Sequence, residues 1–586
     1  MKTEQLFKVG CILALPFTFS ACVDDNYDLD NLDSTVQIQV KDLVLPVNVE
    51  EISLKNIIEI EETEQISLIN NQYVFIEDGE FSSSQIDIPQ VLIPAPVVDP
   101  VVSTIYLDNV PVTPGITAKT NSQFEIHYPI TSQLADFTYE TYNVSDYIQS
   151  IDNVGVDFKV SIQFEIQGLE DIVSSYTLSN FSLQIPAGLS LSTTDGFYDI
   201  ETGVLTLADK KYDGSKITFT VDINHIDITK SNLIYNHDEH SVNFSGQVGI
   251  YSGEVVVSSA DLIPGADLLN IPQSIDLVTH FDMSDITFKS FTGTVNYVFE
   301  GLSIAPIELY DLPEILTQEE TNIILNNPQI YLQLNNPMAK YNLTAQAGLT
   351  ITTHRNNSAD QSFSLDNEYF VIGGNAENSI NTMCMSPTQP QYYYQGYEQA
   401  TYIPFSSLSY LLSGKGMPNS VSIDITNPAI PSQKVIDFLL GENLGSVNGK
   451  YTFYAPLDLK YGSTITYTDK ITGMGNEDSE SLAITKLGIE ALVTNNIPFD
   501  FTITAYPIDA NGEFIEDVTI ETIDIVANSV DRPLKFTING NIENFDGIYF
   551  EAIAKAPETG SNFNPTTTIS LKDLKVTISG NFISEF

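Results

Sequence analysis

The chain has 586 residues, 42% of them hydrophobic, and sets 77 Asp and Glu against 24 Lys and Arg for a formal charge of −53. That length accommodates several packed domains, while that charge lacks the basic footprint nucleic-acid binding requires. Arg355 and Arg532 are the two arginines, which excludes an arginine cluster for phosphate or sulfate.

In chain order, the first feature is a short apolar run, Val9 to Phe19, with Lys2 and Lys8 before it and Phe19-Ser20-Ala21-Cys22 at its end. The run is too short for a bilayer, which takes about 20 residues. A basic start, an apolar core and small residues before a cut describe a secretory signal. Asp24, Asp25, Asp28 and Asp30 follow. The Ser20-Ala21-Cys22 arrangement resembles the lipobox of bacterial lipoproteins, with Phe19 where an aliphatic residue is usual. The acidic tract is similar to the surface-export signal of Bacteroidetes-type lipoproteins. The resemblance covers residues 1–33. It implies removal of residues 1–21, lipid on Cys22, and carriage to the outer face of the outer membrane. Several acyl chains would hold the protein there firmly, since each buried CH₂ contributes about 0.8 kcal/mol. Of the three cysteines, Cys11 would then be lost and Cys22 acylated. Cys384 alone would remain, leaving neither an intrachain disulfide nor a Cys-ligated zinc site.

Beyond the tether the residue pattern is that of strands. Tyr (29) and Phe (31) are abundant while Trp is absent, and aromatic and β-branched residues favour strands. Val36 to Val40 alternates apolar with polar residues. So do Val156 to Gln167, Ile217 to Ile223 and Phe499 to Ile503. This period of two marks half-buried antiparallel strands. Pro89, Pro94, Pro96, Pro100, Pro111 and Pro114 mark an edge strand or linker, because proline cannot serve a central strand. Three short helices are predicted: one from Asp311 to Leu316, one capped by Ser406 or Ser407 with Leu408, Leu411 and Leu412 inward, and one capped by Ser432 with Val435, Ile436, Leu439 and Leu440 on one face and Gly441 as its stop. Asp195-Gly196, Asp213-Gly214, Asn511-Gly512, Asn539-Gly540 and Asp546-Gly547 read as hairpin turns. An apolar–small–Gly–x–apolar form recurs at Phe244, Phe291, Ile538 and Ile578, and Asn-Pro recurs at 327, 336 and 427. Both read as turn chemistry or as traces of duplication.

The expected fold is therefore all-β: tandem antiparallel β-sandwich domains with a few short connecting helices. The expected divisions are a signal (1–21), an acidic tether (22–35), an N-terminal β domain ending in the Pro-rich linker (36–118), a sandwich (119–300), a β domain with short helices (301–460) and a C-terminal sandwich (461–586).

Catalytic chemistry finds little footing. No Gly-x-Ser-x-Gly elbow occurs, Cys384 has no histidine nearby in sequence, and no carboxylate pair stands out for glycoside hydrolysis. His237-Asp238-Glu239-His240 places its histidines three apart between strand-like flanks, unlike the helical zinc-protease motif, and reads as a hairpin tip. Asp509-Ala510-Asn511-Gly512-Glu513 reads first as a hairpin rather than a calcium loop. No metal or cofactor is expected. The best binding candidate is the stretch holding Tyr392, Tyr393, Tyr394, Tyr397 and Tyr402. Tyrosine gives large contact area at low entropic cost, so this stretch is either a ligand surface or an edge strand packed on a neighbour.

The sequence thus points to a non-enzymatic binding or assembly protein at the cell surface, adhesin-like or a subunit of a surface complex. Its expected partners are the outer membrane, through the lipid, and a protein or glycan. The alternative is a glycan-binding accessory lipoprotein for nutrient uptake, similar in architecture to those of starch-uptake systems. The missing Trp counts against it, since sugar platforms usually use Trp. A carrier of apolar ligands and a hydrolase are weaker readings.

Overall fold

A computed structural model describes residues 35–46, 52–55, 61–106, 124–192, 196–213, 216–266, 272–310, 312–356, 358–365, 370–473, 482–562 and 564–585. The fold is all-β and built from several sheets, as the alternation predicts. The long strand Ile148–Gln167 lies inside a twelve-stranded sheet between Ile217–Asp227 and Ile286–Val298. Ser420–Leu439 and Ala345–His354 continue that sheet. An eight-stranded sheet centred on Tyr176–Gln184 and Ser241–Ser258 faces it. Aromatic rings interlock across the gap. Tyr139 meets Phe158 edge-on at 5.5 Å between centroids, and Phe164 meets Phe181 at 5.2 Å. These rings are fully buried, and each aromatic pair adds about 0.5–1.5 kcal/mol beyond its area.

A six-stranded sheet runs in the order Thr401–Pro404, Ile380–Ser386, Gln329–Asn335, Asn448–Pro456, Gln72–Ser82, Ile66–Ile69. Its inner face, including Ile330, Leu332, Leu334, Met383, Met385, Phe75 and Phe453, joins the main core. Two glycines make room for rings on the neighbouring strands. A Cβ on Gly79 would run into the Tyr451 ring, and one on Gly449 into the Phe81 ring. Each ring lies over the glycine opposite it, an arrangement that shields strand glycines.

Residues from Thr464 onward supply most of two further sheets with their own apolar cluster of Ile484, Leu487, Phe536, Ile538, Ile542 and Ile548. Thr35–Pro46 completes one of them by pairing with the last strand, Thr568–Glu585, so that Thr35 sits opposite Glu585.

Several expectations need correction. Residues 36–118 do not form a domain with its own sheet among the described residues. Thr35–Pro46 pairs with the last strand, Gln72–Ser82 pairs with Asn448–Pro456, Val91–Ile93 with Ile286–Val298, and Val101–Tyr106 with Ser274–Met283. Nor does a sheet boundary fall at 300, because Ile286–Val298 pairs directly with Ser420–Leu439. The predicted helix after Ser432 is part of that same twenty-residue strand. There a β-bulge sets two strand residues, Val435 and Phe438, inward at a spacing of three. Asp437 occupies the left-handed region at φ 50° and leaves Ile436 76% exposed. The bulge breaks the period of two and imitates a helix.

Of the other two, one forms as Glu314–Thr317 and one as the 3₁₀ turn Ser406–Tyr410 with Leu408, Leu411 and Leu412 buried, but Phe405 occupies its N-cap position and neither Ser406 nor Ser407 caps it. The four glycine echoes lie inside strands rather than in turns. Asn539-Gly540 is likewise strand interior, and the turn that precedes Phe545 falls on Glu543-Asn544 instead of Asp546-Gly547. Asn427-Pro428 also lies within a strand. By contrast, Asn336-Pro337 does start a turn: the buried Asn336 side chain accepts the Met338 N–H at 3.0 Å and donates to the Leu343 carbonyl at 2.9 Å.

Candidate functional site

The side chains that alternate away from the core on the six-stranded sheet make a continuous outer face. Register aligns Ile380, Asn335, Asn448 and Ser82 in one row. The next row is Thr382, Gln333, Lys450 and Glu80, and the third is Cys384, Tyr331, Thr452 and Asp78.

The third row is roofed by the tyrosine stretch. Residues 387–400 form an irregular crossover, not an edge strand, linking Ile380–Ser386 to the parallel strand Thr401–Pro404. Tyr331 is fully buried beneath it. Its ring lies 4.8 Å from that of Tyr397 and 6.2 Å from that of Tyr394, which in turn lies 5.2 Å from Tyr454. Tyr331 Oη donates to Gln329 Oε1 and accepts the Tyr394 N–H at 3.0 Å. Thr452 Oγ1 contacts Tyr397 Oη at 3.2 Å and Asp78 Oδ1 at 2.5 Å. Gln389 donates to Tyr393 Oη at 3.2 Å, and Tyr402 Oη lies 3.4 Å from the carbonyls of Ser386 and Pro387. Burial raises the Tyr331, Tyr394, Tyr397 and Tyr402 hydroxyl pKa values.

Of the five predicted ligand tyrosines, therefore, Tyr393, Tyr394 and Tyr397 pack as a roof, Tyr402 is half-buried on its strand, and Tyr392 stands out at 80% exposed. Packed rings tilted by 36–41° do not make a flat row. Cys384 lies under the roof, where burial pushes its thiol up to about 11. A thiol so placed is held neutral and enclosed, the opposite of an activated nucleophile.

The first two rows remain open. They floor a shallow trough of about 460 Å³ lined by Glu80, Phe81, Ser82, Gln333, Asn335, Ile380, Asn448, Gly449 and Lys450. Lys450 Nζ and Glu80 Oε1 meet at 2.8 Å. They neutralise each other, and the pair lowers the Glu80 pKa and raises that of Lys450. Ile380 is 47% exposed. Asn335 Oδ1 is shut off from solvent and has no hydrogen-bond partner. Alternation along Tyr331-Leu332-Gln333-Leu334-Asn335 shows that these polar residues share one face. That three distant segments bring such faces together is not visible in the sequence.

The remaining candidates fall elsewhere. Cys22 and Asp24, Asp25, Asp28 and Asp30 lie outside the described residues. His237 to His240 is a hairpin turn, with His237 Nδ1 held 2.9 Å from the Ile148 carbonyl. Asp509 Oδ1 accepts the N–H groups of Asn511 and Glu513, each at 2.9 Å, closing the predicted hairpin. Among the described residues, no three His, Cys, Asp or Glu converge as a metal site would need. No described helix is long and apolar enough to cross a membrane.

No family model and no curated protein matches the chain. Among solved structures, the chain is similar over 49% of its length to 89% of a "putative secreted protein" from Parabacteroides distasonis ATCC 8503, at 15% identity and a TM-score of 0.34. Half of it aligns with 90% of a chain from Broad Bean Stain Virus, at 13% identity and a TM-score of 0.13. Likenesses this distant assign neither a function nor a location.

Proposed function

We propose that this chain is a lipid-anchored protein of the outer-membrane surface whose β-sheet body binds a partner outside the cell. The observation that carries the reading is Ser20-Ala21-Cys22 followed at once by Asp24, Asp25, Asp28 and Asp30. Lipid on Cys22 supplies the anchor and the aspartates supply the export signal. The fold supports the reading in two ways. Thr35, thirteen residues after Cys22 in the sequence, is already paired into a sheet beside the last strand, so little chain separates the lipidated residue from the start of the body. The outer face of the six-stranded sheet offers an open, polar trough beside packed tyrosines. An open trough suits reversible binding of an extended or small polar partner. Catalysis needs reacting groups held and shielded from water, and the trough's single carboxylate is tied to Lys450.

The anchor is tested by growing cells with radiolabelled palmitate and comparing the natural chain with Cys22→Ser. The natural chain is expected to take up label and sediment with membranes, and the variant to lose both properties. A natural chain that takes no label, or a variant that stays membrane-bound, contradicts the reading. The nutrient-uptake alternative gains from the chemistry of the trough.

A further inference from the structure

We infer that the trough beside the tyrosine roof is a binding site for a neutral oligosaccharide. The inference rests on the reading of the chain as a surface binding protein and names the ligand class of that site. Charge comes first. The chain carries −53 overall, yet the trough's two ionic side chains cancel at 2.8 Å. A cation finds no free carboxylate there, and an anion would have to break the pair while facing an acidic body. The ligand is therefore uncharged.

The rest of the lining says what kind of uncharged molecule fits. Gln333, Asn335 and Asn448 contribute three side-chain amides and Ser82 a hydroxyl. An amide both donates and accepts, which matches a molecule covered in hydroxyls. Asn335 Oδ1 is buried with no donor. Buried polar atoms are nearly always satisfied, and because this oxygen has no partner, turning the amide to offer it to a ligand hydroxyl in the trough breaks no hydrogen bond to it. Ile380 adds an exposed apolar flank for a sugar's C–H face.

Spacing also fits. Amides two residues apart on one strand stand about 7 Å apart, and those on neighbouring strands about 4.8 Å, so successive sugar units can each meet a row. A volume of about 460 Å³ lies inside the roughly 300–1,000 Å³ typical of small-ligand sites. A peptide fits less well. The trough lies on a sheet face, where the backbone hydrogen bonds are already used between strands, whereas strand addition needs an open edge.

The test is titration calorimetry on the purified full-length chain. The probes are short neutral oligomers of glucose, mannose, galactose and xylose, together with an oligogalacturonate and an extended neutral peptide. At least one neutral oligosaccharide is expected to bind saturably. Gln333→Ala, Asn335→Ala and Asn448→Ala should each weaken it about tenfold, the scale of one well-made hydrogen bond. Asn448 is exposed, so its variant should fold normally, and an unchanged unfolding curve will confirm that. The assignment is overturned if no neutral oligosaccharide binds at millimolar concentration, if binding survives all three substitutions unchanged, or if the oligogalacturonate or peptide binds there instead. Palmitate labelling is independent of these titrations, so loss of the ligand class and loss of the surface reading are distinguishable.

Discussion

Replacing Asp261 by alanine is expected to destabilise the protein by roughly 2–4 kcal/mol, because several donors would lose one acceptor at once. Asp261 is almost completely buried where the strand Ser241–Ser258 ends. Its Oδ2 accepts the Ser258 N–H at 2.9 Å and the Ser258 hydroxyl at 2.6 Å. Its Oδ1 accepts the Ser175 hydroxyl at 2.5 Å and pairs with Lys211 Nζ at 2.6 Å. The carboxylate thus ties three segments of the eight-stranded sheet together. Burial alone would raise its pKa, but the bonds from Lys211, Ser175 and Ser258 outweigh burial and hold it well below the usual carboxylate range.

The pH dependence follows from that direction. A carboxylate depressed in the folded state stabilises fully above its unfolded pKa, near 3.9. That contribution is lost as pH falls from there through the folded value. Urea unfolding of the natural chain and Asp261→Ala should therefore show a constant difference from neutral pH down to about 5, shrinking below about 4. A difference that grows on acidification, or is absent at neutral pH, would remove Asp261 from this role.

Gly293→Val should be at least as costly, about 3 kcal/mol or more, the upper end of what overpacking costs, because here main chain rather than a rotamer must give way. Gly293 sits mid-sheet in Ile286–Val298, paired with Ile151 on one side and Val435 on the other. Register slips at this level on both sides. A Cβ would collide with the Ser150 carbonyl oxygen and stand 2.9 Å from its carbonyl carbon, against main chain that cannot swing away. Gly293→Ala should already fall partway toward the valine variant in thermal unfolding. If both variants unfold like the natural chain, the paired bulges are not where the structure puts them.

Those bulges also explain what was and was not legible in the sequence. Regular strands were: Val156 to Gln167 alternates faithfully and lies in one strand. The alternation stops short of that strand's start because Val154, Gly155 and Val156 are buried in succession at a register shift. Around Val435 a bulge simulated a helix, and at Gly293, Gly540 and Gly580 close backbone approach inside strands simulated turns. Each is a local signal whose meaning is set by the neighbouring strand.

The boundaries placed near 118 and 300 failed for a related reason. Thr35–Pro46 finds its partner more than five hundred residues away, and no local composition encodes that. The tyrosine stretch was visible from its composition, but its role as a roof depended on Tyr331 and Tyr454 arriving beneath it. The trough was invisible, since Glu80, Gln333 and Lys450 become neighbours only when three distant strands align.

An acidic β-sheet body held outside the cell is open to reagents that cannot cross the outer membrane. The decisive measurement adds protease to intact cells that express the natural chain and probes for the body afterwards. The body should be digested while a periplasmic marker in the same cells survives. Complete protection of the body on intact cells, with digestion only after the outer membrane is opened, would contradict surface exposure.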